Sequence, residues 1–341
     1  MKKVYLIVSF FVFFLCVFSQ NSPKNRFRVM CYNVENLFDL VDDSTTRDEE
    51  YLIGGMRGWN NQKYQQKLAN ISKVIVSIGG WDAPAIVGLC EVESKRTLFD
   101  LTRNSGLKNL AYRFSHFESP DARGVDVALL YQPQMFKPFI EKPIKVVFPF
   151  APESRTRDIL YVGGTTVSSD SLHVFVCHFP SRLGGEAESE ERRIHVAKVL
   201  RTSVDSILTI SPHANIIIMG DFNDYPDNNS MLHTLKAAEY DGNLAKSELY
   251  NLMFPLHRKG KGTHKHAGEW GALDQFIVSR NLLNVNASLY TLPIDVQIFE
   301  ADFLLEPDKN YLGKQPKRTY VGMKFNDGFS DHLPIFMDLW Y

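Results

Sequence analysis

Cysteine is scarce in this chain: four residues in 341, at Cys16, Cys31, Cys90 and Cys177. That is too few for a disulfide scaffold, and the last three each sit inside an apolar run, which reads as buried free thiols. Zinc-ligand spacings are missing too, with no His-Glu-x-x-His and no Cys-x-x-Cys pair, so a soft or nitrogen-rich metal site has no signature here. Neither a Gly-x-Ser-x-Gly elbow nor a phosphate-cradling Gly-rich loop is present, which argues against an acyl hydrolase and against a nucleotide-dependent kinase. Positive charge is not in excess. The formal net charge is −1, and −3 once Lys2 and Lys3 are set aside with the leader described below, so no overall basic field exists for capturing a polyanion. Pro/Ser-rich linkers, low-complexity tracts and internal repeats are also lacking, and residues 26–341 are expected to fold as one domain.

One long apolar run is present, Val4 to Phe18, preceded by Lys2 and Lys3 and followed by Ser19 and Gln20. It has the layout of a signal peptide over residues 1–19, with 20–25 as a flexible lead-in, and predicts a secreted or periplasmic protein. The run is short of the roughly 20 apolar residues of a membrane span, which makes an uncleaved anchor the weaker reading.

Beyond the leader, apolar runs repeatedly end on a polar side chain. Arg28 to Tyr32 leads into Asn33 and Glu35; Ala85 to Cys90 into Glu91; His173 to Cys177 into His178; Asn215 to Met219 into Gly220, Asp221, Phe222, Asn223 and Asp224; and Asp331 and His332 precede Leu333 to Phe336. A buried carboxylate needs a partner or a cation to offset its desolvation, and the strand ends of α/β sheets are where ligands sit. Several strands delivering Asn, Glu, Asp and His read as one polar site.

Helical spacing of apolar residues appears at Leu68, Ile71, Val74 and Ile78, and again at Val196, Leu200, Val204 and Ile207 after the acidic stretch Glu186 to Glu191. Strand-like runs are expected at Phe27 to Tyr32, Ala85 to Cys90, Tyr112 to Phe117, Val125 to Tyr131, Ile144 to Phe148, Ile159 to Val167, Leu172 to Phe179, Ile216 to Met219, Leu273 to Val278 and Leu333 to Leu339. That is more than one open parallel sheet uses. An α/β fold with two packed sheets and helices outside fits better.

Six segments, taken in order, resemble the endonuclease/exonuclease/phosphatase superfamily: Cys31 to Phe38, Gly88 to Glu93, Arg123 to Tyr131, Gly220 to Asp224, Leu273 to Val278 and Ser330 to Leu333. Gly-Asp-Phe alone is common; six motifs in the family's order from Phe27 to the C-terminus are not. The resemblance implies a four-layer α/β sandwich, two packed mixed sheets flanked by helices, and metal-dependent hydrolysis of a phosphate ester.

On that resemblance each residue acquires an expected role. Hard oxygen ligands suit Mg²⁺, with Mn²⁺ or Ca²⁺ as alternatives, and Glu91, Glu35 and Asp331 are the expected metal ligands, with Asn33 adding a neutral oxygen or a phosphate contact. Asp221 would orient or deprotonate the attacking water, and Asn223, on the same side if the backbone stays extended, would hold the phosphate or Asp221 itself. His332 would meet a phosphate oxygen as a cation, its other nitrogen paired with Asp274. His178 is the second expected imidazole, with Asp126 as its partner. Arg123 and Arg182 are candidate phosphate contacts, and Glu93 is read as a surface residue. The basic runs His257 to His266 and Lys317 to Tyr320 invite two readings, polyanion recognition or solvated loop.

The expected partner is a phosphate-ester substrate: a phosphorylated small molecule, a lipid head group, or DNA or RNA if the protein is an endonuclease. No protein partner is implied, and a monomer is expected. A binding protein that keeps the fold without catalysis is the reading from another class, opposed by the clustering of so many charges.

Overall fold

The computed structural model describes residues 25–182 and 184–341. The leader expected at 1–19 and nearly all of the lead-in at 20–25 lie outside the described residues. The apolar runs assemble into two mixed sheets. In spatial order the first holds Val296–Ile298, Ile335–Trp340, Arg26–Leu37, Ile86–Val92, Asp126–Tyr131 and Arg113–His116. The second holds Phe136–Ile144, Ile159–Thr166, Ser171–His178, Asn215–Asp221, Asp274–Ser279, Leu249–Asn251 and Ala237–Ala238.

Alternation along each strand sorts side chains to two faces. Val29 and Cys31 join Leu129, Val176, Ile217 and Met219 in the core between the sheets. Met30 and Tyr32, one residue out of phase, turn to the outer face, where Leu68, Ile71 and Ile75 of helix α1 (Asn61–Gly79) cover them together with Leu98 and Leu101 of α2 (Lys95–Arg103). On the far side Val196, Leu200 and Val204 of α3 (Glu186–Ile210) pack on Phe175, Ile216 and Ile218. The result is a four-layer α/β sandwich. Each fully buried Leu, Ile or Phe contributes roughly 1.5–3 kcal/mol, which is why the layers close on these stripes. Caps fix where the first two helices start: Asn60 accepts from the Lys63 amide, and Ser94 and Thr97 form a reciprocal capping box.

The strand expected at Ile144 to Phe148 is displaced. The chain instead forms an edge strand over Phe136–Ile144, while Val146 and Phe148 are buried without belonging to a strand. Pro138 and Pro143 within that segment, together with its exposed outward face, conceal it; an edge position is where prolines are tolerated in a sheet. Helix α2 was not expected.

Strand register is what builds the site. Ser171–His178 runs parallel to Asn215–Asp221 with His178 beside Asp221, and Asp274–Ser279 runs antiparallel with Asp274 opposite Asp221. Three polar side chains thus converge at one sheet end. Gly220 makes the approach feasible: its φ is 149°, and a Cβ there would lie 1.9 Å from the Cys177 carbonyl oxygen.

Candidate active site

Asp221 is the centre of the constellation. It is almost wholly buried, and its Oδ2 accepts from Asn33 Nδ2 at 3.0 Å while Oδ1 accepts from the Asn223 amide at 2.9 Å. Two imidazoles face it, with His178 Nε2 and His332 Nε2 each 3.7 Å from Oδ2. Burial pushes the Asp221 carboxyl up to about 6; His332 pulls against that rise and Asp274 adds to it.

The two histidines are in opposite states. His332 Nδ1 donates to Asp274 Oδ2 at 2.6 Å. Burial alone would discharge this ring, but Asp274 and Asp221 outweigh it and hold His332 well above the usual imidazole range. His178 is also buried, and burial, followed by the charges of Arg157 and Arg123, pushes it well below that range. One ring is therefore a cation and the other neutral near pH 7.

Glu91 comes from the end of the neighbouring sheet. Its Oε2 accepts from the Asn36 amide at 2.9 Å. Its Oε1 lies 3.7 Å from Arg123 Nη1 and 3.9 Å from His178 Nε2, both longer than a hydrogen bond. Asn33 Oδ1 accepts from the Glu35 amide at 3.0 Å and keeps a second lone pair. These hard oxygens, one of them anionic and lacking a close donor among the described residues, fit a hard divalent cation.

Asp331 and Glu35 share a cation already present in the chain. Arg318 donates to Asp331 Oδ2 at 2.7 Å and to Glu35 Oε1 at 3.3 Å, while the Thr319 amide donates to Glu35 Oε2 at 2.6 Å. Each oxygen of Glu35 thus accepts one hydrogen bond from a protein donor. Burial, followed by the charge on Asp331, raises Glu35 to about 7. Asp331 is lowered: burial works against this, but His332 and Arg318 win. Buried Lys67 donates to Thr319 and to the Phe329 carbonyl beneath the same group, and burial brings it down to about 8.

Asp126 is not the partner of His178. Its Oδ1 accepts from the Ser119 amide at 3.0 Å and its Oδ2 lies 3.2 Å from His116 Nε2. His178 Nδ1 has no hydrogen-bond partner among the described residues. Asn223 departs from an extended backbone, with φ 50°, so its side chain turns to donate to the Phe179 carbonyl at 3.0 Å. It is the Asn223 amide, rather than its side chain, that holds Asp221. Arg182 donates to the Asn223 carbonyl at 2.7 Å and to Asn228 Oδ1 at 3.0 Å, which makes it a brace for the Asp221 loop.

Glu93 is buried, not on the surface, and accepts from the Asp39 amide at 2.7 Å. The cause is local. Glu91 has φ 65° and the strand pairing slips between Cys90 and Val92, so the alternation restarts one residue out of phase. Left-handed backbone also occurs at Glu35 and Asn36, and such strain concentrated at one site marks a functional region.

Sequence reasoning did not single out Lys67, His264, Arg318 or Thr319 individually. Lys67 carries a readable signal, a charge within the buried stripe of α1 beside Leu68. His264, whose ring sits 4.9 Å from that of His332, opens the strand His264–His266, which is too short to show a period. Most charges of the 257–266 run are answered within the chain: Arg258 by Glu239, Lys261 by Glu300, and buried Lys265 by Asp308.

A cavity of about 520 Å³ opens beside the constellation, lined in part by Asn223, Tyr225, His264, His266 and Arg182. Comparison with known proteins agrees with this architecture. Zebrafish (D. rerio) TDP2 complexed with a single-strand DNA product superposes with a TM-score of 0.56 at 13% identity, covering 92% of this chain and 98% of that one. An endonuclease/exonuclease/phosphatase family protein from Bacteroides thetaiotaomicron gives 0.55 at 13%, covering 93% and 98%. The human Nocturnin catalytic domain with bound sulfate gives 0.54 at 16%, again covering 93% and 98%. At these identities the likeness concerns the fold. None of the curated proteins matches the sequence. Residues 28–340, almost the whole described chain, match the family described as Endonuclease/Exonuclease/phosphatase family, and the protein belongs to that family.

Proposed function

We propose that the protein is an exported, Mg²⁺-dependent phosphoesterase that hydrolyses a phosphate mono- or diester by in-line attack of water. The observation that carries this reading is Asp221, held by Asn33 and the Asn223 amide, between a cationic and a neutral imidazole. The leader-like pattern from Lys2 to Ser19 supports export, and among the described residues no helix is long and apolar enough to cross a membrane.

Asp221 accepts the proton of the attacking water, its carboxyl raised toward the working pH by burial. The two hydrogen bonds aim its oxygens and spare the transition state the cost of orienting them. His332, its Nδ1 fixed by Asp274, presents Nε2–H to an equatorial phosphoryl oxygen and offsets the charge that builds there. His178 supplies a second, neutral donor beside it. A divalent ion bound by Glu91 and Asn33 would stabilise charge on the phosphoryl and leaving oxygens. As phosphorus gains its bond to the water oxygen, its bond to the ester oxygen breaks; the departing alkoxide takes a proton from solvent and leaves as the alcohol, with inorganic phosphate or a phosphate monoester as the other product.

Nuclease action is the second reading, favoured by one observation. The neighbouring cavity, with Tyr225, Arg182 and His264 in its wall, is large enough for a nucleoside-sized group. The test is a metal-supplemented panel of plasmid DNA, apurinic DNA, RNA, sphingomyelin, inositol phosphates and nucleotides. Turnover of one class that is abolished in Asp221→Asn and His332→Ala, with both variants folded, is the expected result; undiminished turnover in both would end the proposal.

A further inference from the structure

On the two strands beyond Glu91 at the edge of the first sheet, where Asp126 pairs with Val92, lies a second group of metal-ligating side chains, His116, Glu118 and Asp126, with one ligand atom from each within 4.8 Å of the others. Strand geometry puts them there. Arg113–His116 pairs antiparallel with Asp126–Tyr131, with His116 opposite Ala128. The pairing ends at His116, and Glu118, two residues on, still comes within reach of Asp126. Two carboxylates this close repel without a compensating charge. Burial raises the Glu118 carboxyl; His116 counters this, and the charge on Asp126 adds to the rise.

The imidazole points to what compensates them. The His116 side chain is wholly buried, and neither ring nitrogen has a hydrogen-bond partner among the described residues. Its Nε2 stands 3.2 Å from Asp126 Oδ2 and its Nδ1 3.8 Å from Glu118 Oε1. A buried, unsatisfied imidazole costs free energy unless something binds it. Tetrahedral zinc with arms of about 2.0–2.2 Å sets its ligand atoms about 3.4 Å apart, close to the spacing between His116 Nε2 and Asp126 Oδ2. Asp126 is also preorganised: Ser119 donates to Oδ1 from both its amide and its hydroxyl, which leaves Oδ2 to face the ring. Glu118, with its side chain 65% exposed, provides the entry side.

We propose that His116, Glu118 and Asp126 form a transition-metal site of the zinc class, sharing no ligand with Glu91 and serving to clasp the Phe117–Ser119 segment to the Asp126–Tyr131 strand. An imidazole ligand disfavours Mg²⁺ and favours a borderline ion. The sequence lacks any zinc spacing because the third ligand arrives through strand pairing and not along one segment.

The test is equilibrium binding of Zn²⁺ alone to the parent protein, Glu118→Gln and His116→Gln, with near-UV circular dichroism to confirm that each is folded. Any zinc taken up near Glu91 is common to all three and cancels. The expected result is one equivalent fewer in His116→Gln, and in Glu118→Gln either the same loss or affinity lower by about tenfold or more. Diffraction at the zinc edge should then place an anomalous peak between the three side chains. Equal zinc stoichiometry and affinity in all three proteins, or a peak only elsewhere, would overturn the proposal. If His116→Gln is unfolded, the Glu118→Gln comparison and the anomalous map decide the question by themselves.

Discussion

The Nδ1 of His332 lies 2.6 Å from Oδ2 of Asp274, a hydrogen bond between side chains 58 residues apart that fixes both the orientation and the charge of the ring. Asp274 enters this contact from the strand beside Asp221, whereas His332 arrives just ahead of the strand Ile335–Trp340 in the other sheet. The pair therefore ties the two sheets together at the site.

Removing the Asp274 carboxylate should lower turnover without unfolding the protein. Asp274→Asn keeps the shape but takes away the main influence raising His332, and a loss of about 10²–10⁴-fold is expected for a positioned proton donor. The sign on pH follows. His332 is held above its ordinary pKa, so its cationic form is lost only as pH rises through the folded-state value, which sets the alkaline limb, while protonation of Asp221 at about 6 sets the acid limb. In the variant this alkaline limb should move to lower pH, as a pH–rate profile of kcat/KM would reveal.

Glu93 gives a stability test apart from catalysis. Burial, with the nearby acids Asp39 and Asp48 adding to it, raises its carboxyl to about 8, although the Asp39 amide pulls the other way. A folded state that holds the proton more tightly than the unfolded chain is favoured below the ordinary glutamate range, and loses that advantage as pH climbs from about 4.5 to 8. Glu93→Gln keeps an acceptor for Asp39 and removes the titration. Its Tm relative to the parent should rise between pH 5 and pH 9; a constant difference across that range would contradict the burial of an ionisable group here.

Gly220→Ala is expected to be among the most damaging single substitutions. The added methyl would meet the Cys177 carbonyl oxygen at 1.9 Å, on backbone at φ 149° where side chains are rarely tolerated. Because the clash involves backbone in the central strands, it cannot be relieved by a rotamer change. Denaturant unfolding should show a loss of about 4 kcal/mol or more, or no folded protein at all.

Much of this arrangement could be read before any coordinates. Asn33, Glu91, His178, Asp221 and His332 were legible because each follows or precedes an apolar run, and burying such a run forces its terminal side chain to one end of a sheet. Asp274 was legible only through the resemblance of the Leu273 to Val278 segment. What escaped depends on interactions between segments. Arg318 and Thr319 reach Glu35 across 283 and 284 residues from a loop without periodicity. Left-handed backbone at Glu91 and Asn223 broke the period-of-two logic and moved Glu93 inward and the Asn223 side chain onto Phe179. Asp126 belongs to an apolar strand, yet only the pairing with Arg113–His116 brings it beside His116.

The role assigned to Glu91 supports the most direct test of the account. Hydrolysis of bis(4-nitrophenyl) phosphate, or of whichever substrate the panel identifies, is measured against Mg²⁺ concentration for the parent and for Glu91→Gln. The account predicts activity that EDTA abolishes and Mg²⁺ restores in the parent, and a Glu91→Gln variant that is folded but slower by about 10²-fold or more at any Mg²⁺ concentration. Parent activity indifferent to EDTA, or a Glu91→Gln curve that overlays the parent's, would contradict it.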